Sequence, residues 1–170
     1  MHRRSLRNLL FVILFSCVAS LSVKAENEPK FIENKGQLPA QVSHKLRVAN
    51  SDIYFEKDKL TFNIYAPHLL DQHDHGNEHE SELLGHAYYM RFVGASNQAS
   101  VESAGNQYPD YTNYITPDYS ASHVRSYDRL QYKGIYPGID IAYFGKEGNL
   151  KYDVIVSAGA DANVLKMQYD

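Results

Sequence analysis

Three histidines in one short polar segment are the residues of this sequence best suited to bind a metal ion. His73, His75 and His79 lie within residues 71–82, which contain no apolar side chain but several Asp and Glu residues. Imidazole and carboxylate groups together can bind Zn²⁺, Cu²⁺ or Ni²⁺. No helix supports the spacing, and Gly76 adds flexibility, whereas a catalytic metal needs rigidly positioned ligands. We therefore expect residues 71–82 to form a solvent-exposed loop without a built metal site. The three histidines are its weak candidate ligands, together with the carboxylates of Asp71, Glu78, Glu80 and Glu82.

Two aspartates are the candidates for acid–base chemistry. Strands are predicted at 139–144 and 150–156, and a four-residue loop at 145–148 between them would place Asp140 directly opposite Asp153. Opposed carboxylates can bind a cation or act in hydrolysis. They also occur in structural networks, where Lys and Arg side chains neutralise them. The structural network is the interpretation that we favour here.

A tyrosine-rich segment is the candidate for binding by contact. The chain has 14 Tyr and no Trp. Residues 105–122, predicted to form an ordered long loop, contain four of these tyrosines: Tyr108, Tyr111, Tyr114 and Tyr119. Tyr offers a flat apolar ring and a polar tip, which suit contact with a protein or stacking on a sugar. The alternative is that Tyr covers half-buried strand positions, for which it has a high propensity.

Composition excludes several classes of function. Residues 26–170 contain 13 basic and 20 acidic side chains and no cysteine, so their formal charge is −7. A nucleic-acid-binding protein needs clustered Lys and Arg to neutralise phosphates. Without a thiol, residues 26–170 can form neither disulfides nor Cys-ligated metal sites. Nucleophile-elbow, phosphate-loop and dinucleotide motifs are also missing, so we expect no cofactor and no enzymatic activity.

The first 25 residues have the pattern of a secretory signal peptide. Residues 2–7 are basic, residues 9–23 are apolar apart from three serines and a cysteine, and Val23-Lys24-Ala25 fits a cleavage site. Since a membrane span needs about 20 apolar residues, this run predicts cleavage near Ala25 and no membrane span in the mature chain. An uncleaved anchor and lipoprotein processing at Cys17 are the alternatives.

The remaining sequence predicts an all-β fold, specifically an antiparallel β-sandwich. Apolar and polar residues alternate at 42–48, 53–64 and 88–92, while no segment has the apolar spacing of an amphipathic helix. One apolar face of the C-terminal hairpin is predicted to contain six side chains: Ile139, Ile141, Tyr143, Leu150, Tyr152 and Val154. Because Asp170 directly follows a predicted strand, we expect the sheet to be truncated there and downstream domains of a longer chain to follow.

Two segments carry a family resemblance. The run 132–170, above all Tyr-Pro-Gly-Ile-Asp at 136–140, and the opening Phe-Ile-Glu-Asn-Lys-Gly-Gln at 31–37 resemble an N-terminal module of large surface proteins from Bacteroidetes-type bacteria. Such proteins carry SBBP-type repeats, PKD-like domains or a gliding-motility-associated C-terminal domain. Residues 113–118 depart from the module's usual motif. The resemblance implies secretion, often by the type IX route, and a module of unknown function without assigned catalytic residues.

The function that we expect is that of a non-enzymatic module of a secreted cell-surface protein. Its role would be adhesion or structural interaction, with an association with gliding motility implied by the resemblance, and its partner would be a cell-surface protein or glycan. A glycan-binding module is the first alternative. The second is a hydrolase that uses either His73, His75 and His79 or the pair Asp140 and Asp153.

Overall fold

The computed structural model describes residues 28–66, 85–117 and 119–170. Within these ranges the only helical segment is a 3₁₀ turn at Ala162–Val164, so no helix there is long and apolar enough to cross a membrane. The described strands are β1 (Phe31–Glu33), β2 (Val42–Val48), β3 (Ser51–Glu56), β4 (Lys59–Tyr65), β5 (Gly85–Phe92), β6 (Ser100–Gln107), β7 (Thr112–Ile115), β8 (Ser120–Val124), β9 (Ser126–Tyr136), β10 (Ile139–Lys146), β11 (Asn149–Val156) and β12 (Met167–Tyr169). The predicted all-β class is confirmed.

One curled antiparallel sheet forms most of the described structure. Its strand order is β11-β10-β9-β1-β2-β3-β4-β5-β12, with β6 also paired to β9, while β7 and β8 form a separate two-stranded sheet. The long strand β9 joins the parts, because it pairs with β10, with β6 and with β1. The sheet curls into a half-barrel, so that two parts of its inner face pack against each other. The core of the predicted sandwich-like fold therefore lies inside one curled sheet.

A chain of aromatic rings fills the inside of the curl. Phe55 of β3 packs against Phe31 of β1 and against Tyr143 of β10, with ring centroids 5.5 and 5.4 Å apart. Tyr132 of β9 continues the chain to Phe92 of β5, at 5.4 Å. Because β5 and β9 lie five places apart in the sheet, this contact requires the sheet to curl. Edge-on and tilted ring pairs of this kind stabilise beyond the area that they bury.

The predicted alternation is confirmed in the first hairpins. Val42, His44 and Leu46 of β2 are buried and their neighbours are less so, which is the pattern of a strand with one face on the core. β3 and β4 form the predicted hairpin around Lys57 and Asp58.

The hairpin of β10 and β11 has the predicted faces but not the predicted register. Its turn has two residues, Glu147 and Gly148, both with positive φ (54° and 71°), which is typical of the turn type that suits twisted strands. The pairing is therefore shifted by two residues, and a shift of two keeps each side chain on its face. Asp140 lies opposite Ile155, and Asp153 lies opposite Ala142, so the predicted aspartate pair is wrong.

The prediction of a long loop at residues 105–122 is also wrong. β6 continues to Gln107, and β7 and β8 then form an antiparallel hairpin within the segment. β6 was not predicted, since its sequence of Ser, Glu, Ala, Gly, Asn and Gln with a single Val has a low strand propensity. β6 is nevertheless a strand, because its backbone pairs with β9 between Tyr127 and Lys133.

Two buried tyrosines are expected to differ in how removal of the hydroxyl changes the free energy of unfolding. The Tyr132 hydroxyl donates to the Glu56 carbonyl at 2.6 Å, and burial raises the pKa of this tyrosine well above its usual value. The Tyr143 hydroxyl is buried without a hydrogen-bond partner among the described residues. We expect Tyr132→Phe to lower the free energy of unfolding by about 1–2 kcal/mol, and Tyr143→Phe to leave it unchanged or raise it. Urea unfolding of both variants measures this, and a larger loss for Tyr143→Phe would contradict it.

Candidate functional site

His73, His75 and His79, like the whole segment 71–82, lie outside the described residues. Among residues 28–66, 85–117 and 119–170, no cluster of three or more His, Cys, Asp or Glu side chains could hold a metal ion.

The two candidate aspartates have separate positions in the sheet. The Asp140 carboxylate accepts hydrogen bonds from the Gly134 backbone N–H at 2.7 Å and from the Gln131 amide at 3.2 Å. Gly134 has a φ of 59°, next to an irregularity in the pairing of β9 and β10. Asp140 therefore fixes a backbone bulge, and Asp153 lies in the neighbouring strand opposite Ala142. The arrangement does not provide the carboxylate pair that a hydrolase would use.

A buried histidine between two hydroxyl groups was missed by the sequence analysis. His44 Nε2 lies 2.8 Å from the Ser103 hydroxyl, and its Nδ1 lies 2.7 Å from the Ser43 hydroxyl. Burial lowers the pKa of His44 to about 4, although the nearby Glu33 carboxylate opposes this change. A general base works best when its pKa is near the working pH and a third group orients it, commonly a carboxylate. The groups that orient His44 are serine hydroxyls rather than a carboxylate. We therefore assign His44, Ser43 and Ser103 a structural role.

Much of the predicted tyrosine segment forms an antiparallel hairpin, which we call the tyrosine hairpin (residues 108–117 and 119–124). Tyr108 and Tyr114 are half-buried, so these two rings pack against the protein. Three large apolar side chains instead face solvent: Tyr111 (50% exposed), Ile115 (80%) and Tyr119 (39%). Separately exposed apolar residues are ordinary, but three on one short hairpin are typical of a contact surface.

The hairpin is held firmly at its base. Ala121 and Val124 of β8 are buried. The Arg125 N–H, which directly follows β8, donates to the Glu33 carboxylate at 2.7 Å, and the Lys35 ammonium donates to the His123 carbonyl at 2.8 Å. These contacts join the hairpin to β1 and the residues after it, so its exposed rings are presented on a fixed base.

Cations lie over the tyrosine rings. The Arg125 guanidinium lies 5.2 Å from the centre of the Tyr111 ring, and the His123 ring stacks on the same tyrosine at 4.6 Å. Lys30 lies 4.4 Å from the centre of the Tyr108 ring and forms an ion pair with Asp110 at 3.2 Å. Cation–π contacts limit the rotation of a ring and so reduce the entropy that binding would cost.

A cleft adjoins the base of the hairpin. Its volume is about 350 Å³, and it is lined by Glu28, Pro29, Tyr108, Asp128, Arg129, Phe144 and Gly145. This volume is at the lower end of the range for small-molecule sites. Asp128 accepts hydrogen bonds from the Asn106 backbone and side chain, at 2.7 and 2.9 Å, and the Arg129 guanidinium lies over the Phe144 ring. The cleft thus combines a tyrosine ring with carboxylate and guanidinium groups.

Comparison with known proteins identifies a family. Residues 31–170 match the family described as a domain of unknown function (DUF7948), and the chain belongs to that family. Searches of curated proteins and of solved structures returned no match. The match covers the described sheet and the tyrosine hairpin, and it assigns neither an activity nor a ligand.

Proposed function

We propose that this member of the DUF7948 family is a non-enzymatic interaction module of an exported cell-surface protein. It binds its partner through the tyrosine hairpin, in an adhesive or structural role. The observation that carries the proposal is the exposure of Tyr111, Ile115 and Tyr119 together on one anchored hairpin. Export rests on the signal-peptide pattern of residues 1–25.

The chemistry of the hairpin suits recognition better than catalysis. Tyr and Arg are the side chains that most often carry binding energy at interfaces, where they act through large rigid contacts. Tyr111 with Arg125 over its ring provides such a pair, and Ile115 adds an apolar contact without polar groups. A role in gliding motility, secretion by the type IX route, and downstream SBBP-type or PKD-like domains remain part of the proposal through the sequence resemblance.

A glycan is the second candidate for the partner. The observation that favours it is the cleft of about 350 Å³ beside Tyr108, in which Asp128 and Arg129 can form hydrogen bonds with hydroxyl groups. Sugars bind proteins through stacking on an aromatic ring together with such polar contacts.

Three variants test the proposal and separate the two candidate partners. We expect Tyr111→Ala to weaken binding of the labelled chain to intact cells of the source organism by tenfold or more, roughly the effect of losing one hot-spot residue. A protein partner also contacts Ile115, so Ile115→Ser would then have a similar effect. With a glycan in the cleft, Arg129→Ala would weaken binding and Ile115→Ser would not. Unchanged binding for all three variants would contradict the proposal.

Export has a separate test. We expect the chain recovered outside the cytoplasm to begin near Glu26, as measured by mass spectrometry of its N-terminal peptide. A chain that stays in the cytosol with residues 1–25 attached would contradict export. The role of the hairpin as an interaction surface is tested separately, by the binding experiment.

A further inference from the structure

The edge strand β11 is the most apolar exposed strand among the described residues. Four of its large side chains keep 37–49% of their surface exposed: Tyr152, Val154, Ile155 and Val156. In the described structure β11 pairs with β10 on one side only, so the hydrogen-bonding groups of its other side are free to pair. A long apolar edge favours pairing with a further strand, and proteins normally cover or charge such edges.

We infer that β11 pairs with β11 of a second copy of this chain, antiparallel and about a two-fold axis at Tyr152. The two curled sheets then continue into each other. This dimer is independent of the tyrosine hairpin, which belongs to other strands, and it goes beyond the function proposed above.

Backbone geometry permits this pairing. The Ser157 N–H, just after β11, donates to the Gly138 carbonyl at 2.8 Å. Backbone groups alternate in direction along a strand, so the odd-numbered residues of β11 face β10 and the even-numbered ones face outward. An axis at Tyr152 places outward-facing residues opposite each other, as antiparallel hydrogen-bonded pairs require.

The charged residues of β11 favour this register over the registers with an axis one residue away. Lys151 and Asp153 are the charged residues of β11. An axis at Tyr152 sets Lys151 of each copy opposite Asp153 of the other, which gives two opposite-charge pairs. An axis at Lys151 or at Asp153 would set two like charges directly opposite, which destabilises a strand pair. A two-fold interface has to be self-complementary. Of the three registers compared, only the one with its axis at Tyr152 sets opposite charges against each other.

The apolar residues agree with the same register. Leu150 of one copy lies opposite Val154 of the other, and the two Tyr152 rings meet at the axis. Tyr152 shares the inner face of the sheet with Tyr143, whose ring centroid is 5.6 Å away. Pairing therefore brings Leu150, Tyr152 and Val154 of the two copies together and extends the inner apolar surface across both copies.

Charge reversal tests both the dimer and its register. The purified chain is examined by sedimentation velocity over a range of concentrations and is expected to form a dimer. Lys151→Asp alone and Asp153→Lys alone each set like charges opposite, and we expect each to raise the dissociation constant about tenfold or more. An equimolar mixture of the two variants restores opposite-charge pairs and should dimerise about as well as the original chain. Lys133→Asp, an equal charge reversal on β9, is the control and should have no effect.

Three results would overturn the inference. The first is a chain that stays monomeric at all concentrations, and the second is an assembly larger than a dimer. The third is a dimer that neither single variant weakens, or that the mixture of variants fails to restore. Circular dichroism of each variant checks that the fold is kept. We expect it to be kept, because both substituted side chains are on an exposed strand.

Discussion

Replacing Asp52 by Asn is expected to lower the free energy of unfolding by about 2–3 kcal/mol. Asp52 lies on the outer face of β3 and is only 2% exposed. Arg47 donates to both of its oxygens, at 2.7 and 2.9 Å, while Lys45 lies at 2.8 Å and the Tyr65 hydroxyl at 3.1 Å. An amide can accept at one oxygen only and turns an NH₂ group toward the cations. The loss is limited because Arg47 remains partly exposed and can be hydrated.

The acid dependence of this effect follows from the carboxylate. Burial by itself raises the pKa of Asp52, but the hydrogen bonds from Arg47 and Lys45 outweigh it and hold the pKa below its usual value. The contribution of Asp52 is therefore complete above about pH 4 and is lost as the pH falls through the lowered pKa. The difference between the original chain and Asp52→Asn should shrink accordingly in acid.

Asp110→Asn is the matched control for this prediction. Asp110 also pairs with a lysine, Lys30, but its side chain is 62% exposed. Exposed ion pairs contribute little to stability. Urea unfolding at pH 7 should therefore show a clear loss for Asp52→Asn and none for Asp110→Asn. Equal losses in the two variants would contradict the assignment of Asp52 as the centre of a buried network.

Lowering the pH from 7 to 5 is expected to remove about 2 kcal/mol of stability through His44 alone. The folded protein holds this histidine neutral, with its pKa lowered from 6.5 to about 4 by burial. The unfolded chain therefore binds more protons between these two values. The stability is complete above about pH 6.5 and is lost as the pH falls toward 4.

Denaturant unfolding of His44→Gln at pH 7, 6 and 5 isolates this effect. The variant should be less stable at pH 7, because the two serine hydroxyls lose a well-fitted partner, but its stability should fall less steeply with acid. The control is His123→Gln, which replaces an exposed histidine and leaves His44 in place. An unchanged slope in His44→Gln would show that the histidine is not held neutral in the folded protein.

Alternation in the sequence predicted the fold class and the early strands, because each buried strand has one apolar face. It predicted the inner face of β10 and β11 for the same reason. The register of that hairpin could not be predicted, since it depends on Glu147 adopting a positive φ, which is rare for a residue with a side chain. β6 was missed because it forms through the available edge of β9 rather than through its own composition.

The candidate site was predicted in its composition but not in its geometry. The tyrosines of residues 105–122 indicated a contact surface, and the structure places Tyr111 and Tyr119 outward and Tyr108 at the edge of the cleft. The cations over the Tyr108 and Tyr111 rings come from other parts of the chain: Lys30 precedes β1, and Arg125 follows β8. Contacts of this kind depend on strand order, for which the local sequence has no signal.

The central claim is that the tyrosine hairpin is the surface that meets the partner, and oxidative footprinting of the chain bound to intact cells tests it most directly. Tyr89 provides an internal reference, because it is exposed and lies near Lys59 and Arg91 on another part of the sheet. We predict that Tyr111 and Tyr119 become protected from oxidation on binding while Tyr89 reacts as in the free chain. Protection of Tyr89 with unchanged oxidation of Tyr111 and Tyr119 would contradict the claim.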